Sequence, residues 1–355
     1  MKLANSTIAI LLLALTIEVG LIADDFSQQH RQVDLASVSS LALTPAQPPV
    51  KEVEEVEVLP PPPPTPIIPI ADTEIAEVVE IEEAKPSSPK PRGSGPLALS
   101  AQAWLAVFIP PAGDPQVLAS HNASQSLAIA SLTKLITAIV SNKEIDSGVA
   151  LSLDGDLKTL GGDQGSAPTN IPGAQMVRAG DLVYPLLVES NNNAASALAS
   201  VMPEGEFVVQ MNLMAQDLGL LNTGFYNPHG LDSEGAVPPN YSTAENLVRL
   251  AEIIVSDYPE LLAVTKNKAY SIQAIDGTTV RQFKNTNKLI DATDWPATVL
   301  GGKTGHTDLA KRNLLLILRD QGSGGLLITV VLGADDHFAT TTDFLDWIYY
   351  HHDFS

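Results

Sequence analysis

Between residues 24 and 96 the chain carries a stretch that cannot pack a core, and this confines any fold to what remains. Five consecutive prolines run from Pro60 to Pro64, followed by Pro66 and Pro69. Acidic residues interleave with apolar ones in KEVEEVEV and EIAEVVEIEE, and the stretch ends in the basic, Pro-rich KPSSPKPRGSG. Proline removes backbone donors and like charges repel, so such a segment stays extended. As a coil, about 70 residues have a root-mean-square span of roughly 45 Å, and more where polyproline helix dominates. The pattern predicts a disordered linker over 24–96 and a folded domain over 97–355.

Ahead of the linker, Lys2 precedes an apolar run, Ile8 to Ile17, followed by Glu18 and VGLIA. This reads as an export signal and predicts a place in the cell envelope. Two outcomes stay open for residues 1–23. One is a signal peptide cleaved after Ala23, although Leu21 fits the small-residue cleavage pattern poorly. The other is an uncleaved anchor from about Thr7 to Ala23, short for a membrane span and burdened by Glu18. A long spacer makes most sense with its far end fixed, which favours attachment to the outer face of the cytoplasmic membrane.

The formal net charge is -21. Residues 1–96 hold six basic and fourteen acidic residues, and the rest hold fourteen and twenty-seven, so neither part is basic. A nucleic-acid partner is excluded on that ground, because phosphate binding needs basic surface. There is no cysteine, hence no disulfide, no thiolate zinc site and no cysteine nucleophile.

From about Pro96 the texture becomes that of a globule. AQAWLAVF (101–108) and QVLA (116–119) read as strands around the turn PPAGDP. SLTKLITAIVSNK (131–143), DLVYPLLVE (181–189), NAASALASVM (193–202), EFVVQMNLMAQDLG (206–219) and TAENLVRLAEIIV (243–255) read as helices. Beyond residue 265 the pattern turns β-like in KAYSIQ, TTVRQF, TVLGGKTG, NLLLILR and GLLITVVLG. TTDFLDWIYYHH (341–352) closes the chain as a helix. Terminal β-rich portions around a helical middle predict an α/β fold: a sheet flanked by helices, with an inserted all-helical subdomain over about 144–262.

Three short motifs carry chemistry. In Ser131-Leu132-Thr133-Lys134, a helix starting near Ser131 would put the hydroxyl and the amine on one face. A serine hydroxyl becomes a nucleophile when a base takes its proton, and a lysine set between apolar runs such as LAIAS and LITAIV can be that base. Ser190-Asn191-Asn192 joins two apolar helices, offering a second hydroxyl and an amide. It equally suits an ordinary capped helix break. Lys303-Thr304-Gly305, in GGKTGHT, suits an edge strand lining a cleft. There Gly305 would let substrate backbone approach, Lys303 would add charge and Thr304 would donate to a carboxylate. Each motif alone is weak. Ser87-Ser88-Pro89-Lys90 repeats the first inside the linker, and Ser120-His121-Asn122 repeats the second. The ordered set on helix, helix joint and strand is what is specific, a trio shared by penicillin-binding proteins and class A β-lactamases.

The likeness extends beyond the trio. AIASLTKLITA, LLVESNNNAASALA, MNLMAQDLGLLNTGFYNPHGLD, STAENLVRLA, NTNKLI and GGKTGHTDLAKRNLLLILR resemble successive blocks of the low-molecular-mass D-alanyl-D-alanine carboxypeptidases, over about Pro96 to His352. The resemblance implies a five-stranded antiparallel sheet of the DD-peptidase/β-lactamase type. It implies acylation of Ser131 by the penultimate D-alanine of a peptidoglycan stem peptide ending in D-Ala-D-Ala, with Lys134 taking the proton and Ser190 passing it to the leaving D-alanine. Asn192 would hold the substrate amide, Lys303, Thr304, Gly305 and His306 would line the substrate edge, and the backbone N–H groups of Ser131 and His306 would form the oxyanion hole. β-Lactams would be covalent inhibitors, and no metal or organic cofactor is implied.

Departures from the family pattern define further expectations. Many relatives have alanine or glycine where Asn191 stands, a change that should be tolerated because that side chain is not the catalytic one; many have glycine where Lys311 stands, so contacts at the substrate edge should differ. Some relatives place an arginine ahead of the last helix to meet the substrate carboxylate, whereas here the stretch reads DDHFATTTDF. That leaves Lys303, Thr304 and Thr307 for the carboxylate and puts strict carboxypeptidase specificity in question. No E-x-x-L-N deacylation pattern occurs, so a long-lived penicillin adduct is expected. NPHGLD, with Asn227, His229 and Gly230, reads as a loop shaping the cleft rim rather than a source of a catalytic histidine.

Overall fold

Apolar runs long enough to be buried on both faces build the middle strands of the central sheet. In β1 (Ala103–Ile109), Ala103, Leu105 and Val107 face one apolar layer, while Trp104, Ala106 and Phe108 face another. A strand covered on both sides reads as a continuous hydrophobic run. β2 (Gln116–His121) follows it. The other three strands come from the end of the chain: β3 (Ala297–Thr307), β4 (Lys311–Asp320) and β5 (Leu326–Ala334). Their order is β3-β4-β5-β1-β2, with every neighbouring pair antiparallel. This matches the expected five-stranded antiparallel sheet, and it puts β3, the strand bearing Lys303-Thr304-Gly305, at an edge.

The computed structural model describes residues 90–91, 97–152, 176–232 and 237–354. The predicted signal or anchor over 1–23 lies outside the described residues, as does nearly all of the predicted linker over 24–96. Within that linker, Lys90–Pro91 pairs antiparallel with His352–Asp353 near the C-terminus. Among the described residues no helix is long and apolar enough to cross a membrane.

Helices cover both faces of the sheet. α1 (Lys134–Glu144), α2 (Ala179–Val188), α3 (Asn192–Ala199), α4 (Glu206–Asp217), α5 (Ala244–Asp257) and α6 (Pro259–Thr265) precede β3 in the chain, and α7 (His337–His351) follows β5. α7 lays Phe344, Leu345 and Ile348 against Trp104, Phe108 and Leu316 on one face. Its first turn is closed by Asp336, which accepts from the N–H groups of Phe338 and Ala339. The other face meets the helical portion in a single apolar layer.

α5 is amphipathic, with Leu247, Val248, Leu250, Ala251 and Ile254 buried, the spacing of one apolar stripe. That stripe packs on β5 and β1. A helix assigned by sequence order to the helical insertion thus also serves as a sheet-covering helix. The sequence reading also passed over α6, a seven-residue helix whose N1 position is Pro259. Proline suits that position because its missing N–H would have no partner there.

Candidate active site

The turn carrying Ser131 is tighter than expected. Ala130–Thr133 form a 3-10 helix, and the α-helix begins only at Lys134. With three residues per turn, side chains at i and i+3 lie directly above one another. The Lys134 amine accordingly donates to Ser131 Oγ at 2.8 Å. Ala130 enters the turn at φ 47°, a conformation an L-residue adopts only when its surroundings impose it. Gly230 packs directly against this turn. A Cβ on that glycine would stand 2.0 Å from the Ala130 carbonyl oxygen, and its φ is +85°. Only glycine satisfies both conditions.

Lys134 is 0% exposed. Besides Ser131, its amine donates to Asn192 Oδ1 at 2.7 Å and to the His229 carbonyl at 2.5 Å. One buried amine therefore joins the first two motifs, 58 residues apart in the chain. A buried cation is tolerated where acceptors satisfy its protons. The block NPHGLD supplies one of these acceptors, the His229 carbonyl, and is held to α1 by Thr137 Oγ1, which donates to the Pro228 carbonyl at 2.6 Å.

The His229 ring stands apart from this chemistry. Its Nδ1 accepts the Leu231 N–H at 3.1 Å. Burial, and secondarily the charge of Lys134, lower its pKa to about 4. The ring is neutral at physiological pH and shapes the loop, as the sequence reading held.

Ser190 sits at the corner between α2 and α3 in a left-handed conformation, φ 63°. Asn192 begins α3 and is buried. Between them, Asn191 caps α3, its Oδ1 accepting the Ala194 N–H at 2.9 Å. Such a cap contributes about 1 kcal/mol, which gives the unusual asparagine a structural role.

Lys303 is 1% exposed. Its amine donates to Ser190 Oγ at 2.7 Å and to the Thr304 carbonyl at 2.9 Å, and so the third motif meets the second. Thr304 shares a 2.6 Å hydroxyl contact with Thr286, and the Thr286 N–H donates to the Val188 carbonyl just before Ser190.

Gly305 is required for a reason the sequence did not suggest. A Cβ there would lie 2.8 Å from the Ile129 carbonyl oxygen and 3.2 Å from the Ser131 nitrogen. It is the protein's own Ser131 turn that presses on this glycine, where substrate backbone was expected. The same contact sets the Ser131 N–H beside the Gly305–His306 link of β3. Thr307, expected to help with a carboxylate, donates instead to Asp232 Oδ1 at 2.7 Å. Lys311 lies away from the cleft chemistry in an exposed 3.0 Å pair with Asp335.

Three contributors escaped the sequence reading. Asn240 is 1% exposed. Its Oδ1 accepts the N–H of Tyr226 at 2.7 Å, its Nδ2 donates to Thr133 Oγ1 at 3.0 Å, and its carbonyl accepts the Ile129 N–H. It thereby ties NPHGLD to the Ser131 turn. Asp232 also accepts the Leu309 N–H at 3.1 Å, holding the β3–β4 hairpin. Thr286 was visible only as a member of the NTNKLI block.

Two buried lysine–serine contacts, Lys134 to Ser131 and Lys303 to Ser190, stand beside the edge strand of a five-stranded antiparallel sheet, an arrangement chemically suited to serine acyl transfer. Comparison with known proteins narrows the class. Residues 91–336 match the family model described as D-alanyl-D-alanine carboxypeptidase. The chain belongs to the D-alanyl-D-alanine carboxypeptidase family of serine peptidases. It is similar to D-alanyl-D-alanine carboxypeptidase DacC of Escherichia coli, 33% identical over 252 residues, covering 67% of this chain and 57% of that protein. It is also similar to a D-alanyl-D-alanine endopeptidase of Haemophilus influenzae, 33% identical over 57% of this chain and 66% of that one. Among solved structures, penicillin-binding protein D2 of Listeria monocytogenes in its cefotaxime-bound form superposes with a TM-score of 0.58 at 26% identity, over 72% of this chain and all of the other. The chain thus spans less than three fifths of the length of DacC.

Proposed function

We propose that the protein is a serine-type hydrolase of peptidoglycan stem peptides, a D-alanyl-D-alanine carboxypeptidase that works through an acyl-enzyme on Ser131. The observation that carries this reading is the Lys134 amine, buried and in contact with both Ser131 Oγ and Asn192 Oδ1. In its neutral form the amine turns a lone pair to the Ser131 hydroxyl and takes its proton as Oγ bonds to the carbonyl carbon of the penultimate D-alanine. The N–H groups of Ser131 and His306 receive the oxyanion. Ser190, held by Lys303, passes a proton to the leaving D-alanine amine as the C–N bond breaks. Asn192 holds the substrate amide, and Thr304 and Gly305 belong to the strand along which the peptide lies. Water then attacks the ester, returning Ser131 and releasing the shortened stem. Family membership supports a place in the cell envelope, and the apolar run Ile8 to Ile17 ahead of a Pro-rich stretch favours tethering through the N-terminus.

Incubation with a fluorescent penicillin tests the nucleophile. Wild type becomes labelled and keeps the label, while Ser131→Ala does not. Equal labelling of the two, or rapid turnover of the drug by wild type, defeats the reading. A second reading is endopeptidase action on cross-links with the same residues. It is favoured by the endopeptidase among the similar proteins and by the missing arginine ahead of α7. Separate digestion of pentapeptide muropeptides and cross-linked dimers distinguishes the two, because carboxypeptidase action releases D-alanine from the former alone.

A further inference from the structure

Behind the catalytic contacts, α1, α2 and α3 pack on one another, and a cavity of about 190 Å³ lies between them. Ser141 and Ile145 line it from α1 and its C-terminal exit, Ala179 and Val183 from α2, and Leu198 from α3. Asn142 and Ser147 also line it and are exposed, so it opens to solvent.

Each of the three helices also carries part of the candidate active site. Ser141 follows Lys134 by seven positions, two turns along the same face of α1. Leu198 follows Asn192 by six positions in α3. α2 begins at the cavity and ends at Val188, just before Ser190. At 1.5 Å per residue the cavity lies about 10 Å behind the Lys134–Asn192 contact.

Ser141 sets this cavity apart. A helical serine can satisfy its hydroxyl on the carbonyl one turn back. Ser141 is 4% exposed, and its Oγ has no hydrogen-bond partner among the described residues. A buried hydroxyl left unpaired is costly, which favours an occupant that pairs with it. Around it Ile145, Ala179 and Leu198 are buried, and no lining side chain carries a charge. A charged ligand would lose its water with no counter-charge in return, which rules out zwitterionic D-alanine. An apolar cavity of about 150 Å³ holds a benzene-sized molecule, so this one has room for a ring and a hydroxyl.

We propose that the cavity binds a small neutral molecule with an apolar ring or chain and one hydroxyl, and that the occupant tightens the helix packing behind Lys134, Ser190 and Asn192. The binding stands apart from the peptidase reading, and only its coupling to acylation draws on that reading.

Phenol and toluene are close in shape and differ by the hydroxyl, and calorimetric titration of the full chain compares them. Wild type binds phenol saturably, in roughly the millimolar range, and toluene roughly tenfold more weakly. Ser141→Ala brings the two affinities together. Val183→Phe fills the cavity and binds neither, with a melting curve reporting its fold. Saturating phenol speeds acylation of wild type by a fluorescent penicillin roughly fivefold, the lower end of coupling between sites, and leaves Val183→Phe unchanged. The site is overturned if neither probe binds saturably, which leaves the cavity to solvent alone. It is also overturned if a folded Val183→Phe still binds phenol, or if Ser141→Ala keeps the preference. Should Val183→Phe misfold, Ser141→Ala decides. Phenol binding that leaves wild-type acylation unchanged overturns the coupling. A wild type that binds phenol yet is never labelled by penicillin refutes the peptidase reading instead.

Discussion

Two buried lysines, Lys134 and Lys303, each donate to a serine hydroxyl, at 2.8 Å and 2.7 Å, but they are held in different ways. Lys134 lies at the start of α1 and is gripped from a distant loop by the His229 carbonyl. Lys303 lies on an edge strand, and the backbone oxygen it touches belongs to its own neighbour, Thr304. The first arrangement fixes an amine relative to the Ser131 turn. The second couples an amine to the helix corner bearing Ser190. A lysine fixed against the proposed nucleophile suits proton abstraction, and one coupled to a relay hydroxyl suits positioning.

The largest expected effect separates these roles. Lys134→Met replaces the amine with an apolar chain of similar length and should slow acylation by a fluorescent penicillin roughly 10³- to 10⁴-fold, the upper range for loss of a general base. Lys303→Met should slow it roughly ten- to hundredfold, because the base remains in place. Both changes should also lower the melting temperature, since methionine leaves buried acceptors such as Asn192 Oδ1 and the Thr304 carbonyl without their donor, so the rates are compared well below both melting points. Rapid-mixing kinetics beside thermal melts give the answer. Equal losses in the two variants would mean that the lysines act as one unit and that the division of labour is wrong.

The loop that grips Lys134 makes that half of the site acid-sensitive. His229 has a pKa of about 4 in the folded protein against 6.5 in its ordinary state. Between those values the unfolded chain binds a proton that the folded protein refuses. Stability is therefore intact above pH 6.5, falls as pH declines, and is lower by up to about 3 kcal/mol below pH 4. Protonation would also replace the Nδ1 acceptor facing the Leu231 N–H with a second donor. His229→Asn keeps an acceptor two residues before Leu231 and removes the titration. Urea unfolding at pH 7 and pH 4 should show wild type losing about 2 to 3 kcal/mol more than the variant. Parallel losses would show that the ring is not what makes the loop acid-sensitive.

The same contrast explains what the sequence could show. β1, β4 and β5 were legible because their apolar runs are buried on both faces, and Ser131, Lys134, Ser190, Asn192 and Lys303 because hydroxyls, amides and amines recur in a known order. The supports of Lys134 were hidden. Pro228 and His229 act through carbonyl oxygens, which every residue possesses. Asn240 acts as a neutral amide 107 positions from its partner Thr133, and nothing in PPNYSTAEN marks it as different from a turn residue. Gly230 and Gly305 looked like loop and cleft glycines, and only packing shows that both abut the Ser131 turn. α6 was missed because seven residues starting at a proline offer too short a period to detect.

The smallest effect belongs to the hairpin that joins β3 to β4. Lys311 closes the β3–β4 hairpin opposite Thr307 at φ 52°, the left-handed position where a three-residue hairpin loop ordinarily takes glycine. An L-residue held there costs about 1–2 kcal/mol. Replacing it with glycine recovers that strain and loses about 0.5–1 kcal/mol to the greater freedom of the unfolded chain. It also loses the exposed pair with Asp335, typically worth under about 1 kcal/mol. Strain exceeds the other two contributions only narrowly, so Lys311→Gly should raise stability by less than about 1 kcal/mol. Acylation should be unchanged, because Asp232 holds the hairpin through Thr307 and Leu309. Equilibrium unfolding of the two proteins decides the sign. A destabilised Lys311→Gly would mean that the pair with Asp335 outweighs the backbone strain, and that the substrate-edge hairpin is fastened from both sides of the sheet.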